Sequence, residues 1–262
     1  MRLLLTNDDG IGAPGLLALE AELGVLGHTT TVAPEVEQSA KSHALTLYEP
    51  LRLNPSGERR WSVTGTPADC VYLGLNHILA QDPPDLVVAG INDWANLGDD
   101  VFYSGTVAAA REAALHGFLG MAVSIHREGR SRDLHWQTAA AVARVVALRL
   151  LKKKVPPGCL LNVNVPNIPL SELRGIRSTR LGRRVYARNV DVRLDPRGRE
   201  YCWIGGPFLE FADMVGSDGA AVLEDFASVT PMQLDCTSYD ASDWSDWTQL
   251  GFNGLDGKLK DG

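Results

Sequence analysis

The side chains best placed to do chemistry follow short apolar runs. Asp8 and Asp9 come directly after Arg2 to Thr6, Ser39 lies in the loop after Thr29 to Val32, and Asn92 follows Asp85 to Ala89. Two carboxylates with neutral oxygen donors make a hard, all-oxygen set, which suits Mg²⁺ or Mn²⁺ better than zinc. Adjacent acids without a cation repel each other, and a bound divalent ion resolves that repulsion. The doublet can equally cap the helix that follows it, so from these residues alone both readings stay open. A second constellation is Tyr103-Ser104-Gly105-Thr106, ahead of a helical stretch. A Ser-Gly-Thr turn there presents backbone N–H groups and two hydroxyls to an anion such as phosphate. An ordinary Ser/Thr cap is the plainer reading of that turn. His43 is read as a hydrogen-bonding structural residue, and Gly65-Thr66-Pro67-Ala68-Asp69-Cys70 as a turn with a packing role.

These clusters need a scaffold that brings strand ends together, and the apolar pattern supplies one. Arg2 to Thr6, Thr29 to Val32, Asp85 to Ala89, Met121 to Ile125 and Leu160 to Val165 read as strands. Helical stretches run from Leu16 to Leu26, from Pro67 to Ile78, from Thr106 to Leu115 and from Trp136 to Lys152. Alternating strands and helices of this kind predict an α/β fold, a mostly parallel sheet with helices on both faces. Open sheets of that type bind ligands at the carboxyl ends of their strands, where the polar clusters fall. The pattern changes after Pro166. Nine arginines lie between Arg174 and Arg199, with the reading of a solvated face or hairpin arm set against a substrate-binding patch. From Met232 onward, six aspartates and two lysines mix with Trp244, Trp247 and Phe252, which predicts a tail that docks. The expected organisation is one domain, with a core over residues 1–165 and an extension over residues 166–262.

Composition narrows the function. The chain has 262 residues and a formal net charge of -7, which argues against a general nucleic-acid binder. Cys70, Cys159, Cys202 and Cys236 are scattered, with no CxxC pair and no metal spacing with histidine. The N-terminus reaches Asp8-Asp9 too early for a secretory leader, and no apolar run is long enough to span a bilayer, so a cytoplasmic enzyme is expected. Ser39 and Ser104 lack a GxSxG elbow, and neither a Walker A loop nor GxGxxG follows the first strand.

Taken together the segments resemble the survival protein SurE family of nucleotidases. The matching pieces are Leu5-Thr6-Asn7-Asp8-Asp9-Gly10-Ile11, Ala33-Pro34 with Gln38-Ser39-Ala40, and Gly65 to Cys70. Further on come Gly90-Ile91-Asn92 with Asn96-Leu97-Gly98, Ser104-Gly105-Thr106-Val107-Ala108-Ala109-Ala110, and Asn162-Val163-Asn164-Val165-Pro166. Weaker echoes, among them Thr179-Arg180, Tyr186 and Gly216-Ser217-Asp218, extend the likeness to about residue 235. The resemblance implies a Rossmann-like core, and a C-terminal extension (hairpin arm and tail) exchanged or packed between the subunits of a homodimer or homotetramer. It also implies hydrolysis of nucleoside 5′- and 3′-monophosphates with one Mg²⁺ or Mn²⁺ per subunit. By position, Asp8, Asp9, Ser39 and Asn92 would hold the metal, and Asn96, Ser104, Gly105 and Thr106 would line the phosphate site. The chain departs from the family pattern at Ser42, Trp94 and Asp225, where glycine is usual, at Asp93, which is rarely acidic, and at Tyr103, where histidine is common.

The expected mechanism is hydrolysis by metal-activated water, with Asp8 or Asp9 orienting or deprotonating the attacking water. Two other readings compete. A receiver-like signalling module needs an acceptor aspartate after its third strand and a lysine after its fifth, which this chain does not offer. A nucleotide sensor that binds without hydrolysing is conceivable from Asp93 and Trp94.

Overall fold

The computed structural model describes residues 1–239 except 128, 130–132, 207 and 213. Most of the expected docking tail, from residue 240 onward, lies outside the described residues.

Leu3 and Leu5 point to one side of the first strand and Leu4 to the other, and all three are buried. This two-residue alternation, apolar on both faces, builds the centre of the molecule. The first half of the chain runs β1 (Arg2–Thr6), α1 (Pro14–Gly24), β2 (His28–Pro34), β3 (Leu53–Gly57), β4 (Arg60–Val63), α2 (Pro67–Leu73) and β5 (Leu86–Asn92). It continues through α3 (Gly105–Leu115), β6 (Gly120–His126), α4 (Trp136–Leu150) and β7 (Cys159–Pro166). Past β7 come β8 (Gly175–Ser178), β9 (Arg183–Tyr186), β10 (Val190–Leu194), β11 (Glu200–Ile204), β12 (Phe208–Ala212), α5 (Asp218–Leu223) and β13 (Phe226–Gln233).

Nine strands form one sheet in the order β3-β4-β2-β1-β5-β6-β7-β13-β8. All neighbours are parallel except β3 with β4 and β13 with β7. Leu3, Leu5, Val88 and Val123 pack under α1 and α4, whereas Leu4, Val87 and Ala89 pack under α2 and α3. The α/β fold with a mostly parallel sheet and helices on both faces is the expected one. The β3–β4 hairpin was not foreseen, and the helix expected to reach Ile78 leaves the α form after Leu73 and finishes as a π-helical turn, Gly74–Ile78.

The region past β7 divides in two. β13 and β8 join the main sheet, while β10–β11 and β9–β12 make two separate antiparallel ribbons. Every residue of β10 and β11 is exposed, as a hairpin arm would be. Ser42 and Asp225 sit in the left-handed region, at φ +53° and +63°. A side chain there costs about 1–2 kcal/mol, which is why glycine suits both positions. At Ser42 a hydrogen bond from its hydroxyl to Phe102 O, 2.6 Å, offsets part of that cost.

Candidate functional site

The ends of β2, β1 and β5 lie side by side, and the polar clusters converge on that rim. After Thr6 the chain turns through Asn7, whose Nδ2 donates to Gly10 O at 2.8 Å. Gly10 stands at φ +98°, where a side chain is strained, and the Glu35–Glu37 backbone lies about 3.5 Å from where a Cβ would sit. This close approach lets Gln38 N donate to Asp8 O at 2.7 Å and brings the Ser39 loop beside the acidic pair.

The start of α3 docks onto Asp8. Ser104 is the N-cap, its Oγ accepting from Val107 N at 3.0 Å, so the capping reading of this serine holds. The fully buried Thr106 donates its hydroxyl to Asp8 Oδ1 at 2.6 Å. Gly105 is needed between them, because a Cβ would stand 3.0 Å from both Asp8 Cβ and Oδ2.

A cavity of about 440 Å³ opens above this rim, and Asp8, Ser39, Asn92, Asn96 and Ser104 are all in its wall. Thr106 acts on it through Asp8, while Asp9 is tied to the end of β5, its carboxyl accepting from the Asp93 backbone. Ser39 is exposed and its Oγ donates to Glu37 Oε1 at 2.6 Å. Asn92 Nδ2 donates to Trp94 O at 2.5 Å. Asn96 is tightly bound into the floor: Nδ2 donates to Ser124 Oγ at 2.8 Å, and its backbone bonds to Asn162 and Asn164.

The electrostatics of the acidic pair are unusual. Burial pushes the Asp8 carboxyl up to about 6, against the opposing effect of the Thr106 hydroxyl. Burial, and then the charge of Asp8, push Asp9 up to about 7. Neither forms an ion pair among the described residues. No group of three or more His, Cys, Asp or Glu that could hold a metal occurs among the described residues, so a cation at the acidic pair would need further oxygen donors. Both folded values lie above the ordinary carboxylate range of roughly 3.9. The stability linked to them is therefore fully present below that range and is lost as pH rises through 6 and 7. Metal-free protein should melt at a lower temperature at pH 8 than at pH 5, and calorimetry should find the fall blunted in an Asp8→Asn/Asp9→Asn double variant.

Other singled-out residues have structural duties. His43 Nε2 bonds to Glu112 Oε2 at 2.7 Å, and His116 meets the other oxygen of the same buried carboxylate. Asp69 completes a capping box with Thr66 and accepts from Thr46 N and Oγ1, holding the loop that follows Ser39.

Several cavity residues were not foreseen. Asp100 lies in the short 3-10 turn Gly98–Phe102, and Arg184, Tyr186 and Phe208 come from the β9–β12 ribbon. Arg184 Nη1 and Tyr186 Oη both donate to Asp100 Oδ2, at 2.6 and 2.8 Å. With its side chain only 11% exposed, Arg184 is no part of a solvated face. The signal for it lay in the arginine-rich segment, where its spacing does not set it apart from its neighbours.

Comparison with known proteins gives a concordant result. The family model described as "Survival protein SurE" matches residues 3–188. A 5′-nucleotidase SurE from Geotalea daltonii is 48% identical over 241 residues, covering 92% of this chain and 96% of that protein. A 5′-nucleotidase SurE from Vibrio vulnificus is 45% identical, covering 92% of both chains. The crystal structure of the SurE protein from Aquifex aeolicus matches with a TM-score of 0.85 at 38% identity, over 95% of this chain and 100% of that one.

Proposed function

The chain belongs to the survival protein SurE family and is a 5′-nucleotidase, and from that premise we propose that it releases phosphate from nucleoside 5′- and 3′-monophosphates with one divalent cation per subunit. The observation that carries this reading is the Asp8-Asp9 pair: two desolvated carboxyls without a cationic partner among the described residues, of which Asp8 lines the cavity. Asp8, Asp9, Ser39 and the amide oxygen of Asn92 would hold Mg²⁺ or Mn²⁺. Such an ion supplies a Lewis acid for the phosphoryl oxygens and lowers the pKa of water.

The chain's own groups do the rest. The N–H groups at the start of α3, capped by Ser104, offer fixed donors to charge developing on phosphate. Thr106 holds Asp8 in one orientation through their 2.6 Å hydrogen bond. Asp8 or Asp9 would orient the attacking water or take its proton. Asn96 keeps the cavity floor in register with β6 and β7 through its bonds to Ser124, Asn162 and Asn164. The exposed Val190, Val192, Leu194 and Ile204 share one face of the β10–β11 hairpin and form an apolar strip that supports pairing with a second copy, in a homodimer or homotetramer.

Phosphate release from adenosine 5′-monophosphate, measured with Mn²⁺, with Mg²⁺ and after chelation, tests the reading. Turnover should require added metal and vanish with chelator. Full turnover in chelator would overturn the metal assignment, and tight nucleotide binding without turnover would favour a sensor.

A further inference from the structure

Trp94 stands two residues past Asn92 and lines the same cavity as Asp8 and Ser104. It is 43% exposed, a large apolar ring left facing water where the chain could have placed a small residue. Its position is fixed from two sides. Its carbonyl oxygen accepts from Asn92 Nδ2, and the guanidinium of Arg127 lies 4.5 Å from the ring centroid. Arg127 is in turn held by Asp93, Nη2 to Oδ2 at 2.9 Å, with its side chain only 12% exposed. A largely covered cation therefore backs one face of the indole, and the exposed remainder of the ring belongs to the cavity wall.

The cavity has a second aromatic wall built in the same way. Phe208, 40% exposed, and Tyr186 are paired across the β9–β12 ribbon, and the Arg184 guanidinium sits 4.7 and 5.2 Å from their ring centroids. The cavity is thus divided chemically. Carboxyls, hydroxyls and amides occupy the rim of the sheet, and flat rings backed by arginine occupy the walls. Fixed aromatic faces in an open cavity bind flat heterocycles by stacking, each worth about 1–3 kcal/mol, because they lose little freedom on binding. A cavity of 440 Å³ lies within the range of roughly 300–1,000 Å³ typical of small-ligand sites.

We propose that the nucleobase of the substrate stacks on Trp94, and that this ring gives the enzyme a preference for purine over pyrimidine monophosphates. The larger area of a fused bicyclic base on the indole is the source of that preference. This inference rests on the nucleotidase reading, which supplies a base to be stacked.

The test compares full-length wild type with Trp94→Ala and Trp94→Phe. Steady-state kinetics are measured on adenosine 5′-monophosphate, cytidine 5′-monophosphate and ribose 5-phosphate, which has no base. In Trp94→Ala, selectivity for adenosine monophosphate over ribose 5-phosphate should fall about tenfold, through KM rather than kcat. Purine preference over cytidine monophosphate should fall with it, and Trp94→Phe should keep most of both. Unchanged selectivity, or an equal loss on all three substrates, overturns the proposal. If wild type turns over none of the three, the nucleotidase reading fails instead, and equilibrium binding of adenosine decides the role of Trp94. Weaker binding in Trp94→Ala supports it, and equal binding overturns it.

Discussion

Replacing Asp9 by asparagine should lower metal-stimulated phosphate release on the order of a thousandfold, the scale on which removal of a preorganised electrostatic group is felt. The same change should raise the melting temperature of the metal-free protein at pH 8. Asparagine keeps the shape of the side chain and an oxygen able to accept the Asp93 N–H that Asp9 accepts. It removes a charge that is desolvated and repelled by Asp8, so in the absence of a cation the fold relaxes. A gain of about 1 kcal/mol corresponds to roughly 2–4 °C for a chain of this size. Activity and stability thus move in opposite directions, as expected of a residue kept for function at the expense of the fold. Assays of phosphate release and thermal melts with and without Mn²⁺ read both effects. An Asp9→Asn protein that hydrolyses adenosine monophosphate at the wild-type rate would remove Asp9 from the chemistry.

Loss of Asp218 should be the most damaging single change away from the cavity. This carboxylate, 1% exposed at the start of α5, accepts three backbone hydrogen bonds. Its Oδ2 takes Gly98 N at 2.9 Å, and its Oδ1 takes Gly182 N and Gly219 N, each at 2.8 Å. It therefore joins α5, the 3-10 turn that carries Asp100, and the turn leading into β9, which carries Arg184. Gly98 and Gly182 approach so closely that a Cβ on Gly98 would lie 2.7 Å from Gly182 O. Alanine in place of Asp218 orphans three N–H groups in a buried setting, at about 1–3 kcal/mol apiece before relaxation. We expect destabilisation of about 4 kcal/mol and a melting temperature lower by on the order of 10 °C. Denaturant titration measures the first and calorimetry the second. A melt within 2 °C of wild type, no more than about 1 kcal/mol would produce, would show that the clamp contributes little.

The parts legible in the sequence were those whose determinants are local. β1, α1 and the acidic turn between them are written within two dozen residues, and so is the Ser104 cap ahead of α3. The convergence of Asp8, Ser39 and Asn92 on one cavity was legible because strand ends in an open sheet meet at one rim. What escaped were features fixed by partners far along the chain. Arg184 is drawn into the cavity wall because Asp100 waits 84 residues earlier, which no local pattern records. β3 carries four exposed residues out of five and a proline, so it has no alternating signature. The departures at Ser42 and Asp225 became intelligible only once their backbone angles were known.

As the chain leaves the ribosome, β1 to β7 are complete by Pro166, but the strand that covers the outer edge of β7 begins only at Phe226. In that interval β7 presents an unpaired edge, and β8 has no sheet neighbour, since its pairing is with β13. Open edges of this kind invite pairing with other nascent chains. Closing them requires bringing together segments as far apart as Leu160 and Met232, a slow event by the measure of chain separation. The newborn protein is therefore most vulnerable to aggregation between the synthesis of β7 and that of β13, and the late insertion of β13 between two waiting neighbours ends that vulnerability.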